Sequence, residues 1–348
     1  MKLLILLSKR PPPSTRIRFC DSMPYWKAQG VHITAMPVPS DPIGRLALLR
    51  RARLYDVVLL HKRALFRSLE LNWLRRANPN IVLDVDDAVM FPEAEFDKPL
   101  RGKRFLKFIR TIDHCAAVVV GNRFLANFTR ANCLNTHVLP TPVDMSEPVL
   151  RDWNQPREAF IVGWLGLANN LRYLKDLTKA LQSLALRFPE FRLKIISNDF
   201  IDIPGVPCIK ETWTLQGQAA ALASLDVGLM PLKDDLWSWG KCGYKILQYF
   251  SAGVPAVASP VGVNTEFVQS GVTGYLADEP QAWEARLAEL FERRSMCQQL
   301  GSNGYRMVSK EYSQERFAQR YLDIMRKSLL GVFLADHTVA IATQLLTH

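Results

Sequence analysis

Ser238-Trp-Gly-Lys241-Cys-Gly243-Tyr-Lys245-Ile-Leu-Gln248-Tyr-Phe-Ser-Ala-Gly253-Val-Pro255-Ala-Val-Ala-Ser259 reads as a glycine-containing loop, a short helix and an apolar strand in direct succession. Ile246, Leu247 and Phe250 give the helix a stripe to bury. Gly253 falls where a helix-terminating glycine belongs, Pro255 prevents continuation, and the strand follows at once. On that helix Lys241, Lys245 and Gln248 are spaced i, i+4, i+7 and stand within about 60° of one another. Two cations near a helix N-terminus, one turn from an amide, suit a diphosphate beside the hydroxyls of a sugar. The helix dipole and free N–H groups add to the lysine charge. A solvated polar face is the plain alternative for two lysines. Gly240 and Gly243, which let a ligand come close to the backbone, favour the binding reading.

The same alternation of strand and helix runs through most of the chain. Apolar runs at 3–7, 31–36, 56–60, 81–85, 117–120 and 137–139 read as strands, with helical spacing at 65–77 and 123–131. After Pro140-Thr-Pro-Val-Asp144 comes a polar stretch without periodicity, through Glu158, which reads as a linker. Strands resume at 160–164, 193–196, 227–230 and 256–258, with helices over 171–187, 279–290 and 314–329. Such alternation implies parallel sheets covered on both faces. The expected fold class is α/β, two doubly wound Rossmann-like domains facing each other across a cleft, with ligands beyond the carboxyl ends of the strands. The expected boundaries are 1–145 for the first domain, 146–158 for the linker and 159–317 for the second domain. A C-terminal helix and tail, 318–348, is expected to cross back to the first.

At 348 residues, 48% hydrophobic and 22% charged, the chain has material for two packed cores and is neither disordered nor fibrous. It has no apolar run of about 18 residues that would span a membrane. The apolar start to Leu7 reads as a strand, not a leader. Six unclustered cysteines and six dispersed histidines point to a reduced, cytoplasmic protein without a metal site. The formal net charge of +11 sits in one third: residues 1–110 hold 21 Lys and Arg against 10 Asp and Glu, and the remainder is balanced. That asymmetry points to an anionic partner. Its densest part is Lys98-Pro-Leu-Arg101-Gly-Lys103-Arg104-Phe105-Leu106-Lys107-Phe108-Ile109-Arg110. As a helix from about Gly102, it sets Phe105, Phe108, Ile109 and Ile112 on one stripe, with Lys103, Lys107 and Arg110 flanking it and Arg104 in the same basic run. Such a helix either sinks its apolar side among anionic lipid headgroups or packs that side on the core.

The 238–259 stretch resembles the donor-binding segment of GT-B glycosyltransferases, in particular the large retaining group called family 4. Their pattern is a glycine loop, a helix of the form K-x-x-E-Y-x-A-x-G, then P-V-V-A-S. Ser259-Pro-Val-Gly262-Val-Asn-Thr-Glu266, Gly271-Val-Thr-Gly274 and Tyr312-Ser313 before a long helix are similar to that group. So are Val138-Leu-Pro140-Thr-Pro-Val-Asp144 and Gly163-Trp-Leu-Gly166. The similarity extends from about residue 1 to 325 and is densest in the second half. The group's E-x7-E pair falls on Gly240 and Gln248, so both glutamates are missing. Gln248 still accepts through its amide oxygen, without charge assistance, and its bond to a ribose is weaker. A subset of the family reads G-K-C-G-[FY]-K-x-x-Q-Y, which this chain follows closely.

The resemblance implies a glycosyltransferase of the hexosyl type. It would move a sugar from a nucleotide-diphosphate donor to a hydroxyl of a glycan or lipid-linked acceptor, with retention of configuration, no required metal and no cofactor. Lys241 and Lys245 would stabilise the leaving diphosphate, with Arg16 assisting from the opposite domain. Gly166, Asn169, Gly243, Tyr244 and Gln248 are the donor-binding candidates, and Trp213 a candidate to face the base. Asp86 and Asp87 fall where the family commonly has a His-Asp pair; a carboxylate there either meets the acceptor hydroxyl or caps the next segment. Asp84-Val-Asp86 also matches the metal-binding D-x-D mark of GT-A enzymes, a fold without a second α/β half. Arg18, His61, Arg63 and Asn122 are the acceptor-side candidates. The basic first third suggests polysaccharide or glycolipid assembly as a peripheral protein on the inner face of the cytoplasmic membrane. Two other classes stay open: a nucleotide-sugar epimerase on the same double fold, and an inactive binding partner in a glycan-assembly complex. Nucleic acid is disfavoured, because no motif is present and aromatics are not concentrated among the basic residues.

Overall fold

The computed structural model describes residues 1–62, 66–91, 102–155 and 157–345, and from 330 to 345 the backbone alone. The chain forms two compact units. The first comprises Met1–Thr141, Gly240–Cys242 and the chain from Gln314; the second comprises Pro142–Trp239 and Gly243–Ser313.

In the first unit the elements run β1 (Lys2–Leu7), α1 (Pro13–Thr15), a π-helical turn (Arg16–Cys20), α2 (Met23–Ala28), β2 (His32–Pro37), α3 (Pro42–Ala52), β3 (Val57–His61) and α4 (Ser68–Ala77). They continue with β4 (Ile81–Val85), α5 (Lys103–Ile112), β5 (Ala117–Val120), α6 (Arg123–Arg130) and β6 (Thr136–Val138). The six strands are parallel, in the order β2-β1-β3-β4-β5-β6. Strands β3, β4 and β5 are buried throughout and apolar but for His61 and Asp84, as strands covered on both faces must be. The order reverses between β1 and β3, which makes that point the crevice where such a sheet takes a ligand.

In the second unit the order is β7 (Phe160–Leu165), a 3-10 turn (Ala168–Asn170), α7 (Leu171–Lys175), α8 (Thr178–Arg187), β8 (Phe191–Ser197), β9 (Cys208–Thr212), α9 (Gln218–Ala223) and β10 (Val227–Met230). Then follow α10 (Leu236–Trp239), α11 (Tyr244–Ser251), β11 (Ala256–Ala258), α12 (Asn264–Phe267), β12 (Gly274–Leu276), α13 (Pro280–Glu292) and α14 (Arg294–Glu311). The strands are again parallel, ordered β12-β11-β10-β7-β8-β9, with the switch point between β7 and β10. Both units are therefore doubly wound α/β sheets. The stretch 146–158 lies within this unit, where buried Arg151 pairs with Asp226 at 3.0 Å and the other Asp226 oxygen accepts from the Ile161 amide at 2.7 Å.

Two expectations change, and one open alternative, the packing of α5, is decided. The helix at 171–187 is two, broken between Lys175 and Thr178. The last helix, α15 (Gln314–Leu345), runs past residue 329 and through the interrupted tail. It packs in the first unit, where the Trp26 indole donates to the Ala318 carbonyl at 2.8 Å and Phe317, Tyr321 and Met325 are buried. The apolar stripe of α5 packs on its own unit, not among lipids: Phe108 and Ile112 are buried, and Phe105 stacks on Phe91, which also meets Phe128. Its basic side faces outward. Among the described residues, no helix is long and apolar enough to cross a membrane.

Candidate functional site

His61 and Asp84, the polar interruptions of β3 and β4, anchor a buried charge cluster at the first unit's switch point. Arg18, with no exposed surface, clamps Asp84 through both oxygens: Nε to Oδ1 at 2.8 Å and Nη2 to Oδ2 at 2.7 Å. Its Nη1 donates to the Leu139 carbonyl and the Thr141 hydroxyl, both at 3.1 Å. Burial opposes the Arg18 charge, but Asp84 holds its pKa above the ordinary value. Arg18 thus stands behind the site, bonded to Asp84 and adding its charge near Asp86.

Asp86 and Asp87 follow β4, and Lys62 follows β3. The Lys62 ammonium stands 3.1 Å from Asp86 Oδ1 and pairs with Asp87. Lys62 has φ of 62°, the one non-glycine among the described residues in the left-handed region, a conformation held against its intrinsic cost by the surrounding structure. His61 Nδ1 meets the Thr15 hydroxyl at 2.9 Å. Its Nε2 lies 3.7 Å from Asp84 Oδ1 and 3.6 Å from Asp86 Oδ1, without an aligned hydrogen bond. Burial would raise the Asp86 carboxyl, but Lys62, helped by His61 and Arg18, holds it well below the usual carboxylate range. Burial pushes the Asp87 carboxyl up; Asp86 adds to this, while Lys62 and Lys241 oppose it. Donor atoms of His61, Asp84 and Asp86 lie within 4.8 Å of one another, a spacing that suits a metal, yet Arg18 and Lys62 already bring positive charge to these carboxylates.

Residues 240–242 belong to this unit. The Asn122 side chain donates to the Lys241 carbonyl at 2.9 Å and accepts from the Leu125 amide at 2.8 Å, capping α6. The Cys242 thiol donates to the Asp86 carbonyl at 2.8 Å and occupies space that a side chain at Gly121 would need. A Cβ on Gly240 would stand 2.2 Å from that of Ala88, so the backbone here leaves no room for the first glutamate of the resembled E-x7-E pattern. The expectation that Lys241 shares a helix face with Lys245 and Gln248 is corrected. Helix α11 begins only at Tyr244, because Gly243 turns the chain with φ of 60°, and a Cβ there would also crowd Phe267 and Val263. Arg16 pairs with Asp21 at 3.2 Å in the π-helical turn. Arg63 lies outside the described residues.

In the second unit, the Tyr249 hydroxyl accepts from the Leu165 amide and donates to the Leu229 carbonyl, both at 3.0 Å. It thereby bridges β7 and β10 where they part at the switch point. One turn earlier on α11, Lys245 Nζ stands 5.0 Å from the centre of the Trp164 ring, and its Cε would be 3.0 Å from a Cβ at Gly166. Lys245 thus crosses the carboxyl end of β7 in space that Gly166 leaves open. Gln248 is buried, Tyr244 half-buried and Asn169 exposed in the turn after β7. Trp213 follows β9, 38% exposed, its indole donating to Gln218 at 3.0 Å. Asp234 accepts from the Trp239 indole and Asp235 from the Ser238 amide, both at 2.6 Å, which fixes the loop before α11. Lys62 stood in the sequence only as the middle of the acceptor-side triplet His61-Lys62-Arg63, and Tyr249 was not among the candidates; a Tyr on the inner face of α11 was its only signal.

Residues 159–293 match the family model of glycosyl transferases group 1. No curated protein matches the chain. Sucrose-phosphate synthase from Thermosynechococcus elongatus is 13% identical, with a TM-score of 0.73 over 96% of this chain and 100% of that one. Anabaena Alr3699/HepE, solved in complex with UDP and glucose, is 15% identical, with a TM-score of 0.68 over 94% of this chain and 100% of that one. The pneumococcal O-GlcNAc transferase GtfA, solved in complex with UDP and GlcNAc, is 14% identical, with a TM-score of 0.60 over 81% of this chain and 59% of that one. These likenesses establish a shared fold. The group 1 match makes the second unit a glycosyltransferase domain and the chain a glycosyltransferase.

Proposed function

We propose that this glycosyltransferase moves a hexose from a nucleotide-diphosphate sugar to a hydroxyl of a glycan or lipid-linked acceptor, with retention of configuration and without a required metal. The observation that carries the reading is the place of Lys245. It stands within the group 1 region, in the first turn of α11, beside Gly166 at the β7/β10 switch point where a doubly wound sheet takes its ligand. As the glycosidic bond breaks, the diphosphate gains negative charge. Lys245 and the N-terminal amides of α11 take up that charge. Gly166, Asn169, Gly243, Tyr244, Gln248 and Trp213 complete the donor side in this reading. Retention implies front-side attack, with the departing phosphate oxygen taking the acceptor proton. In the first unit, Asp87 receives the acceptor hydroxyl as a hydrogen-bond acceptor, Lys62 and Asp86 hold it in place, and Lys241 adds charge beside it. The cation excess of residues 1–110 supports an anionic or lipid-linked acceptor, and with it cell-surface polysaccharide or glycolipid assembly by a protein held on the inner face of the cytoplasmic membrane.

The test is a screen of nucleotide sugars by thermal shift and turnover, with UDP-sugars first because Alr3699/HepE and GtfA are solved with UDP. A donor at about 100 times its Kd stabilises the protein by about 2.7 kcal/mol. Stabilisation by one nucleotide series, with sugar release or transfer, supports the reading. No stabilisation by any of them favours the inactive binding partner instead.

A further inference from the structure

The outward side of the first unit carries a groove of about 390 Å³ between the start of α4 and helix α5. Its floor is apolar, formed by Phe66 and Leu71, both buried, and by Leu106, which remains 46% exposed. Its rim is cationic: Arg67, Lys103, Lys107 and Arg110 all line it and all are exposed. Among the described residues no carboxylate lines it, and Glu70, the acid on α4, is turned to Arg45 in a two-oxygen pair. Arg104 points elsewhere, toward the Phe91 carbonyl. A groove that only closed a gap in packing would not collect four cations of one sign around apolar carbon, because like charges repel and gain nothing there. Leu69 and Trp73, one turn apart elsewhere on α4, are 71% and 49% exposed. An apolar floor with an exposed leucine under a cationic rim matches the boundary between acyl chains and headgroups, where apolar groups dip in and cations meet phosphate.

We infer that this groove is a docking site for the phosphate-bearing headgroup of an anionic phospholipid at a bilayer surface. The rim cations bind the phosphate, and Leu106 with the buried floor receives the first carbons of the chain. This rests on the reading of the basic unit as the side that meets an anionic surface, and not on the transfer chemistry. It also changes how α5 would bind. The apolar stripe is spent on the core, so the helix lies on the membrane by its basic edge and does not submerge.

The experiment is vesicle flotation of the full chain at low salt, with vesicles of phosphatidylcholine alone or mixed with phosphatidylglycerol. Wild type floats with the anionic vesicles only, and high salt releases it. Lys103→Ala with Lys107→Ala weakens partitioning about 30-fold, two charges at about 1 kcal/mol each. A charge-matched control, Lys179→Ala with Lys310→Ala on exposed helices of the second unit, changes it less than about threefold. Circular dichroism of each variant confirms that it is folded. Equal loss in the groove pair and the control pair would overturn the groove while leaving the anionic-surface reading standing. Absence of wild-type flotation would overturn both, as would binding to RNA that outcompetes anionic vesicles. Donor turnover, measured without vesicles, reports separately on the transfer reading.

Discussion

Replacing Arg18 with methionine removes the guanidinium that clamps the fully buried Asp84 carboxylate. Four hydrogen bonds go with it: two to Asp84, one to the Leu139 carbonyl and one to the Thr141 hydroxyl. The dominant cost is the carboxylate left behind. Breaking a buried pair by deleting one partner costs about 3–5 kcal/mol, because the survivor is neither solvated nor compensated. The first unit has the size at which each kcal/mol moves a midpoint by about 2–4 °C, so its transition should fall by about 6–20 °C. Differential scanning calorimetry of the full chain, with the two units followed as separate transitions, reads this directly. The companion variant is Arg18→Met with Asp84→Leu. A buried ion pair exchanged for packed apolar residues is often neutral, so the double variant should recover at least half of the loss. A single variant within about 3 °C of wild type, or a double variant no better than the single, would refute the reasoning.

Other consequences follow from the same geometry. Asp87→Asn should lower kcat/KM and remove the acid limb of its pH profile. Because burial raises the Asp87 pKa, the protonated form persists to higher pH than for an ordinary carboxylate, and activity falls as pH drops through that raised value; an acid limb unchanged in the variant would count against this. Gly243→Ala forces a side chain into a left-handed position against Phe267 and Val263, at about 1–2 kcal/mol for the backbone alone. Donor Kd by calorimetry should rise about tenfold, and an unchanged Kd would detach this glycine from the donor helix. Gly240→Glu introduces the glutamate of the E-x7-E pattern that the stretch resembles, without the space for it. It should destabilise by about 1–3 kcal/mol, since Ala88 stands in the way, and a gain in kcat/KM would show that the backbone accommodates it.

The strands were the most legible part of the chain. Ile81–Val85, Ala117–Val120, Val227–Met230 and Ala256–Ala258 form where their apolar runs begin and end, because a strand covered on both faces reads as a near-continuous apolar run, interrupted here only at Asp84. The edge strand β9 went unread, since Cys-Ile-Lys-Glu-Thr is largely exposed and carries no such run. Helix α14 hides behind Gly301 and Gly304, which look like breakers. Both are packing devices: a Cβ at 301 would stand 2.0 Å from the Gly253 carbonyl oxygen, and one at 304 would strike the Phe250 ring. The site was legible in pieces. Spacing along one segment suggested that Lys241 and Lys245 act from one helix face, but a left-handed glycine between them breaks that face, and a spacing rule does not see backbone handedness. Arg18 was a candidate for the acceptor because a surface arginine and a buried one look alike in sequence; only the partner 66 residues away distinguishes them.

The most direct test of the central claim is donor affinity and turnover in Lys245→Ala, measured by calorimetry and by transfer from the nucleotide sugar that stabilises the wild type. If Lys245 meets the leaving diphosphate, kcat/KM falls at least tenfold, about 1.4 kcal/mol or more, and nucleoside diphosphate binds more weakly while the thermal midpoint without ligand stays close to wild type. Turnover and affinity equal to wild type would contradict it.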